Sequence, residues 1–383
     1  MRLVASEQDN DLTTMMRKLF AAECPTGLVR ELGSEGASRF PARLWQALTD
    51  AGLFGLAFAE EHGGAGGTLP ELGLCFQEAG RALCPTIVTN TVLFGLGVDR
   101  LGDAGQRSRH LTSLAEGKLR ATTALWAAAD AAVQAPGVRA ARATSSGAWT
   151  VNGTLDWVPD TDLADVLLVA ATVDAAADPG EPRRTVALVV DTSADGVGIE
   201  ARPTRHGAWH RVVLSDVEVA AIDVMAGEDE NGLSAEKLRA LANTAVALGC
   251  LDLVGGAEAV LAATVEYTTS RHQFGRPIAG FQAAQHIVAD MHIALGAARL
   301  AARSAVFWLG KGRCATRETA IARMHAASAC RRVTLDAHQL HGGMGYVLDT
   351  DLHLWSERAR SLGTFGGTAD TAAGWLREEV GLD

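Results

Sequence analysis

The sequence predicts a mainly α-helical protein with a small β domain between two helical regions. Hydrophobic residues make up 48% of the 383 residues and charged residues 21%, a composition that supports a large buried core. Apolar residues recur at helical spacing towards both ends of the chain, whereas short β-rich runs between turn residues occupy the middle. We therefore expect three domains, at residues 1–120, 121–225 and 226–383.

The first domain is expected to contain helices on either side of a glycine-rich loop. The loop reads Glu-Glu-His-Gly-Gly-Ala-Gly at residues 60–66, and helical spacing resumes over residues 69–83. In the middle domain, runs of β-branched and aliphatic residues predict strands near 166–170 and 185–190. The segment 149–154 predicts a strand that enters a tight turn, because its Asn-Gly pair is typical of two-residue hairpins.

The third domain is expected to be a bundle of long helices. Ser234 is suited to cap the first helix, and the helix dipole favours Glu236 in its first turn. A glycine inside a helix costs about 1 kcal/mol relative to alanine, so close helix packing is the expected reason for Gly249, Gly255 and Gly256. Further helices are expected at about 282–308, 316–340 and 367–380.

Charge and cysteine spacing exclude several classes of protein. The net charge of −11 argues against a general nucleic-acid binder, although local arginines could still hold an anionic ligand. The six cysteines have neither CxxC nor zinc-ligand spacing, so we expect no metal site and mostly buried, reduced thiols in a cytoplasmic protein. The start lacks the apolar core of a signal peptide, and Asp252 and Glu258 interrupt the most apolar stretch, so we expect no membrane partner.

Two C-terminal motifs are more specific than these patterns. The first reads Tyr-Thr-Thr-Ser-Arg-His-Gln-Phe-Gly-Arg-Pro-Ile at residues 267–278, and the second reads Gln-Leu-His-Gly-Gly-Met-Gly-Tyr at residues 339–346. Together they resemble the acyl-CoA dehydrogenase flavoproteins. The loop at 60–66 and the run Val-Asn-Gly-Thr at 151–154, followed by Trp157, resemble further segments of that family. The resemblance therefore spans essentially the whole chain.

The resemblance implies the family's fold, an N-terminal helical domain, a middle β-barrel or sandwich and a C-terminal four-helix bundle, with FAD as the cofactor. Arg271 corresponds to an arginine that contacts the dinucleotide, and a guanidinium can fork onto a pyrophosphate for about 1.5–3 kcal/mol. Glycines in the second motif would let the backbone approach the adenine side. The residues that the resemblance assigns to FAD are Arg271, Phe274, Gln282, Gln339, Gly342, Gly343, Trp157 and Thr368.

The family's reaction is the α,β-dehydrogenation of an acyl-CoA thioester, in which a glutamate removes the α-proton and FAD takes a hydride from the β-carbon. The usual glutamate lies 27 residues after the glutamine that corresponds to Gln339, where this sequence has Gly366. Some members place it 26 residues before the arginine that corresponds to Arg271, where this sequence has Ala245. The resemblance therefore implies no catalytic residue in this chain.

The segments that would face the flavin ring also differ from the family. The run that corresponds to the family's Thr-Glu-Pro and Gly-Ser-Asp falls near residues 122–132, where the chain has few of those side chains. The family's Trp-Ile-Thr is Trp157-Val158-Pro159 here, and proline has neither a hydroxyl nor a backbone N–H to offer the flavin.

The pattern of retained and lost residues suggests a subunit that completes a partner's site. In the family's dimers the arginine and the Gln-Gly-Gly segment reach the neighbour's FAD, and both are retained here. The chain thus resembles the base-less subunit of actinobacterial heteromeric acyl-CoA dehydrogenases, some of which degrade steroid side chains. This implies an acyl-CoA thioester, of a lipid or a steroid, as the substrate of the complex. It also implies a base-bearing paralogous subunit in a heterotetramer and an electron-transfer flavoprotein as acceptor, with a homo-oligomer left open.

Two other functions stay open at the level of the sequence. One is a self-sufficient flavoprotein dehydrogenase or monooxygenase with an unconventional base, for which Asp370, Glu266 and Glu258 are the candidate carboxylates. Such carboxylates are more often solvated helix faces or ion pairs. The other is a non-catalytic binding protein on the same fold.

Overall fold

The computed structural model describes residues 5–34, 38–134, 137–142, 147–173, 184–204, 207–227 and 232–382. The helices within these residues are α1 (Glu7–Glu23), α2 (Thr26–Leu32), α3 (Ala42–Asp50), α4 (Leu69–Arg81), α5 (Thr86–Leu101), α6 (Ala104–Ala115), α7 (Ala235–Ser270), α8 (Gln282–Gly310), α9 (Thr316–His341), α10 (Leu352–Leu362) and α11 (Ala369–Val380). The strands are β1 (Ala121–Ala124), β2 (Trp126–Ala127), β3 (Asp130–Gln134), β4 (Val138–Arg142), β5 (Trp149–Pro159), β6 (Val166–Val173), β7 (Arg184–Asp191), β8 (Val197–Arg202), β9 (Trp209–Val219), β10 (Val224–Met225), β11 (His272–Gln273) and β12 (Arg276–Pro277).

The chain divides into two compact units. The helical unit comprises Met1–Ala37, Leu69–Cys84 and Thr244–Asp383, and the sheet unit comprises Ser38–Thr68 and Pro85–Asn243. The predicted fold class, with helices, then a β-sheet domain, then helices along the chain, is confirmed. The domain boundaries expected after residues 120 and 225 stay predictions.

Eight strands of the sheet unit form one sheet. Their order is β10–β7–β6–β4–β5–β9–β8, and β1 pairs in parallel with β6. Strands β6 and β7 are buried along nearly their whole length, as expected for strands covered on both faces. Helix α5 packs against β1, β5 and β6. The alternate apolar side chains that build the sheet's main core include Val151, Leu155, Leu167, Val169, Leu188, Val190, Val212 and Leu214.

The turn expected at Asn152-Gly153 is not formed, and that prediction is wrong. Strand β5 continues through both residues and pairs with β9, with a shift of register between Val151 and Gly153. The Asn152 amide exchanges hydrogen bonds with Asp216 of β9, at 2.9 Å and 2.8 Å. This side-chain pair stabilises a β-bulge, in which Gly153 has a φ of 152°, so the Asn-Gly pair bends a strand and does not end it.

Close packing between α4 and α7 explains two of the helical glycines and not a third. A Cβ on Gly255 would lie 1.7 Å from the carbonyl oxygen of Gln77, and a Cβ on Gly80 would lie 1.9 Å from that of Asp252. Gly256 faces the same contact, with the Gly80 carbonyl oxygen 3.4 Å from its Cβ position. A Cβ on Gly249 meets no described residue within 4 Å, so close packing is the wrong reason for that glycine.

The long C-terminal helices begin and end close to their predicted positions, but α10 was not predicted. Its buried face includes the polar residues Ser356 and Arg358, which break the apolar period on which such predictions depend. Arg358 forms a buried bidentate ion pair with Asp252 of α7, at 2.8 Å and 2.6 Å. A charged pair replaces part of the apolar contact between α10 and the rest of the helical unit.

Two described helices, α7 and α8, are long and apolar enough to cross a membrane by length and composition alone. The most apolar window of α7 is mostly buried within the protein, as in the core helix of a folded domain, whereas only 33% of that of α8 is buried. Length and composition are weak evidence for a membrane helix, so the absence of a membrane partner stays a prediction.

The expected buried thiols are confirmed. No disulfide joins any of the six cysteines, all of which lie in the described ranges, and all except Cys314 are buried. Burial raises the pKa of the Cys24 thiol to about 11 and that of Cys75 to about 12. Thiols with such pKa values are protonated at neutral pH and are poor nucleophiles.

Candidate functional site

A contact between Tyr267 and His341 brings the two C-terminal motifs together in the helical unit. The two rings stack with their centroids 4.3 Å apart, and the Tyr267 hydroxyl donates to the His341 carbonyl oxygen at 3.3 Å. Tyr267 lies in the last turn of α7, and His341 is the last residue of α9. Arg271 and Gly342, which follow these helix ends, therefore lie at the same end of the helical unit.

Backbone hydrogen bonds fix the main chain of Arg271, whereas its guanidinium group is exposed to solvent. Its N–H donates to the Tyr267 carbonyl oxygen at 2.8 Å, and its carbonyl oxygen accepts from the N–H of Ile278 at 2.9 Å. The side chain is exposed and forms no hydrogen bond or ion pair with any residue in the described part of the chain. An unpaired guanidinium on a fixed backbone fits the role of a pyrophosphate ligand.

Phe274 lies at the tip of the hairpin formed by β11 and β12. Gln273 pairs with Arg276, and the two residues between them, Phe274 and Gly275, have φ values of 54° and 80°. This is the geometry of a type I′ turn. The turn places the Phe274 ring 92% exposed, and a large apolar ring in a strained backbone position is typical of a binding contact. Gln282, the first residue of α8, follows this hairpin in the sequence and is also exposed to solvent.

In the second motif, glycine leaves the backbone at residues 342 and 343 accessible to solvent, because it has no side chain to cover it. Gln339, Gly342 and Gly343 are all exposed. Gly342 ends α9 with a φ of 58°, which favours glycine. Gly343 has no such φ, and a Cβ there would meet no described residue within 4 Å, so nothing in the described chain requires its glycine. A ligand that approaches this backbone closely, as the sequence resemblance predicts for FAD, would require glycine at position 343.

Gly366 occupies the first expected base position. It lies in a loop whose backbone is hydrogen-bonded to the buried Arg323 side chain. Arg323 is 1% exposed; its Nε donates to the Gly367 carbonyl oxygen and its Nη2 to that of Phe365, both at 2.6 Å. Gly366 has a φ of 76°, so a glutamate at this position would need a left-handed backbone. Thr368 caps α11 by accepting from the N–H of Thr371 at 3.2 Å, a structural role alongside its predicted contact with FAD.

The second base position and the substitute carboxylates offer no clear base. Ala245 is half-buried in α7 and carries no ionisable group. Glu258 accepts hydrogen bonds from Gln77, at 3.0 Å, and from Arg299, at 3.1 Å, so it belongs to a structural cluster. Glu266 and Asp370 are exposed on helices.

The sheet unit carries the residues expected near a flavin ring. Trp157 is 46% exposed, with a φ of 62°, in a second irregularity of β5 between Leu155 and Val158. Pro159 is buried, and its carbonyl oxygen accepts from the Thr122 hydroxyl at 2.8 Å. The buried hydroxyl of Thr122 is therefore engaged by β5.

A buried acidic residue that the sequence did not reveal follows Pro159. Asp160 is 3% exposed, accepts from the Asn90 amide at 2.8 Å and lies 3.5 Å from the Arg39 guanidinium. Burial raises the pKa of the Asp160 carboxyl to about 6, although hydrogen bonds and Arg39 oppose the shift. Asp160 is positioned by the sheet unit's own residues and reads as a structural group.

No cluster of three or more His, Cys, Asp or Glu side chains that could hold a metal ion occurs among the residues with described positions. FAD is the cofactor for which the sequence resemblance and the structure together supply candidate ligands. The residues for its dinucleotide part fit the cofactor, because they are exposed and their polar groups are uncommitted. The residues for its flavin ring fit less well, because Pro159 has no hydrogen to donate.

Comparison with known proteins agrees with this reading. The model of the acyl-CoA dehydrogenase N-terminal domain matches residues 6–118, and that of the C-terminal domain matches residues 235–380. The acyl-CoA dehydrogenase IpdE2 of Mycobacterium tuberculosis is 31% identical over 317 residues, which are 82% of this chain and 80% of the relative.

Two solved complexes share the fold. The Tcur3481–Tcur3483 steroid acyl-CoA dehydrogenase is 27% identical, with a TM-score of 0.85 and 98% of both chains covered. The ChsE4–ChsE5 complex of Mycobacterium tuberculosis is also 27% identical, with a TM-score of 0.84 over 99% of this chain and 98% of that chain. Structural neighbours of this chain bind FAD. The chain therefore belongs to the acyl-CoA dehydrogenase family, FAD-dependent oxidoreductases that act on CH–CH bonds.

Proposed function

We propose that this chain is the base-less subunit of a heteromeric acyl-CoA dehydrogenase. The observation that carries the proposal is the absence of a carboxylate at both base positions, Gly366 and Ala245, in a chain that keeps the family's FAD motifs. A positioned base contributes about 10²–10⁴ to the rate of proton abstraction. A chain that lacks it needs a partner to supply the base.

The exposure of the retained motifs supports the proposal. Arg271, Phe274 and Gln282 all face solvent, so their side chains are free to contact a cofactor bound to another subunit. When bound, FAD supplies the electron acceptor for dehydrogenation. Arg271 would neutralise part of the pyrophosphate charge, the Gln282 amide would offer hydrogen bonds, and the Gly342–Gly343 backbone would allow close approach.

The likeness to the two heteromeric complexes further supports a paralogous partner. From the same likeness we propose an acyl-CoA thioester, of a lipid or a steroid, as the substrate of the complex. An electron-transfer flavoprotein as the electron acceptor and a cytoplasmic location belong to the same proposal. A homo-oligomer is the alternative assembly, and it would lack the glutamate in every subunit.

The test compares the chain alone with the chain coexpressed with a candidate partner that carries an intact glutamate. Dehydrogenation of straight-chain, branched and steroid acyl-CoA thioesters is measured with an artificial electron acceptor, and bound FAD is measured by visible absorption. We expect little or no turnover for the chain alone and ordinary turnover for the complex. Glutamate→Gln in the partner, which removes the base alone, should abolish that turnover. Ordinary turnover by the pure chain would overturn the proposal and favour a self-sufficient enzyme.

A further inference from the structure

A polar pocket in the helical unit contains none of the residues assigned to FAD and neither of the two expected base positions, although Glu258, one of the substitute carboxylates, lines it. Its volume is about 410 Å³, and side chains of α1, α4, α7 and α8 line it. Pockets of this size accommodate small organic molecules. The pocket meets α7 at Glu258, Leu261 and Ala262, before the helix end that carries Arg271.

The charges that line this pocket do not balance. Four guanidinium groups face two carboxylates, which leaves an excess of two positive charges in a protein whose net charge is −11. The charged residues are Arg17, Arg81, Arg299, Arg303, Glu78 and Glu258.

Three of the arginines share the two carboxylates. Glu78 accepts from Arg17 at 2.7 Å and 2.9 Å and lies 3.2 Å from Nε of Arg81. Glu258 pairs with Arg81 and accepts from Arg299 at 3.1 Å. Each carboxylate thus contacts two guanidinium groups. The two carboxylates are engaged by three of the four arginines.

Arg303 is the fourth arginine, and it has no counter-ion. It has no carboxylate within 4.0 Å anywhere in the described ranges of the chain, and its buried Nε has no hydrogen-bond partner there. Its Nη2 donates to Oε1 of Gln77 at 3.2 Å, and the Gln77 amide nitrogen is fixed in turn by both oxygens of Glu258 at 3.0 Å. Burial and the neighbouring Arg299 lower the pKa of Arg303, although Glu258, Asp9 and Glu78 act in the opposite direction.

We propose that this pocket binds a phosphate group, either as inorganic phosphate or as a small phosphomonoester, through Arg303 and Arg299. The two arginines are four residues apart on α8, so they lie on the same face of the helix. Two guanidinium groups can fork onto the oxygens of one phosphate, and a phosphate dianion matches the excess of two positive charges. The volume exceeds that of a bare phosphate and leaves room for the organic part of an ester.

The test uses the full chain and isothermal titration with sodium phosphate, glycerol 3-phosphate and, as a neutral control, glycerol, all at constant ionic strength. Arg303→Gln removes the unpaired charge, and Arg303→Lys keeps the charge without the fork. Arg377→Gln, at an exposed position of α11 in the same unit, is the matched control. In the unaltered chain, modification of Arg303 by phenylglyoxal, with and without phosphate, gives a measurement that depends on no variant.

We expect saturable binding of phosphate that Arg303→Gln weakens about ten- to a hundred-fold, that Arg303→Lys weakens less and that Arg377→Gln leaves unchanged. Phosphate should also protect Arg303 from phenylglyoxal, whereas sodium chloride of equal ionic strength should not. Tighter binding of glycerol 3-phosphate than of phosphate would identify an ester as the ligand, and the reverse would identify the free ion. The proposal fails if no saturable binding occurs, if Arg303→Gln binds as tightly as the unaltered chain, or if phosphate gives no protection.

Discussion

The Arg323 guanidinium and the Gly367 carbonyl oxygen are joined by a 2.6 Å hydrogen bond, and a second bond of equal length joins Arg323 to the Phe365 carbonyl oxygen. Arg323 thus spans the loop on both sides of Gly366, the position where the family's glutamate is expected. The loop keeps a defined backbone although its catalytic side chain is missing.

Arg323→Met should loosen this loop. The methionine fills much of the volume but leaves two carbonyl oxygens without their donor, at a cost of about 2 kcal/mol in the free energy of unfolding. The Gly367 amide, which donates to the Thr364 carbonyl oxygen at 3.1 Å, should exchange its hydrogen faster. Hydrogen exchange measured by mass spectrometry checks this, with the exposed Arg377→Met as control. Unchanged exchange in the loop would show that Arg323 does not hold it.

Gly366→Glu should not restore ordinary acyl-CoA dehydrogenase turnover to this chain. A side chain at a φ of 76° costs about 1–2 kcal/mol, so the carboxylate would be poorly held. Pro159 would still offer no hydrogen bond towards a flavin. Turnover of several acyl-CoA thioesters is the measurement, and Gly366→Asn, which tolerates this backbone better, controls for strain without adding a base. Near-normal activity of Gly366→Glu would show that only the base had been lost.

Breaking the buried ion pair of Asp252 and Arg358 by replacing one partner should destabilise the protein strongly. Asp252→Asn or Arg358→Met leaves an unpaired buried group, so each should lower the free energy of unfolding by about 3–5 kcal/mol. The double variant should lose less than the sum of the two. Chemical denaturation of all three variants checks this, and Asp290→Asn, in an exposed pair with Arg332, should change little. Additive losses would contradict the coupling.

Asp160 should make the sheet unit less stable as the pH rises. Its pKa is about 6 in the folded protein against an ordinary 3.8, so between these values the folded chain keeps a proton that the unfolded chain has lost. The contribution of Asp160 to the free energy of unfolding is therefore largest below about pH 4, falls up to about pH 6 and is constant above it, with a total change of about 3 kcal/mol.

The check is Asp160→Asn, which cannot titrate. Between pH 5 and 8 the unaltered protein should lose about 1–2 kcal/mol of unfolding free energy relative to this variant. Asp156→Asn, at an exposed position of β5, the strand that precedes Asp160, is the control. Parallel pH profiles for the unaltered protein and Asp160→Asn would contradict the raised pKa.

The sequence allowed prediction of those features that depend on local pattern. The order of helices and strands follows from hydrophobic period, as do the approximate bounds of α8 and α9. The Asn-Gly pair misled because its hairpin preference is weaker than the pairing of Asn152 with Asp216, a residue 64 positions away.

The missed features depend on contacts between distant parts of the chain. In the sequence, Arg323 is a single polar residue in a helical pattern. Only the fold brings it within 2.6 Å of the carbonyl oxygens of Phe365 and Gly367, which are 42 and 44 residues later. Asp252 and Arg358 are 106 residues apart, and Asn90 and Asp160 are 70 apart. No spacing rule connects such pairs, so a single sequence cannot reveal them.

The central claim is that Arg271 serves a flavin bound to a partner subunit. Arg271→Ala removes a guanidinium that is free in the described chain and suited to pyrophosphate, a loss of about 1.5–3 kcal/mol, or about ten- to a hundred-fold in FAD affinity. Arg271→Lys should rescue only part of this loss, because an ammonium cannot form the planar bidentate contact. Arg377→Ala, an exposed arginine elsewhere in the helical unit, is the control.

The most direct measurement is FAD bound per complex, and its dissociation constant, after coexpression of each variant with a base-bearing partner. The account predicts weakened FAD binding and lower turnover for Arg271→Ala, an intermediate result for Arg271→Lys and no change for Arg377→Ala. Full flavin occupancy with an unchanged dissociation constant in Arg271→Ala would contradict the donated site and leave Arg271 as a surface arginine.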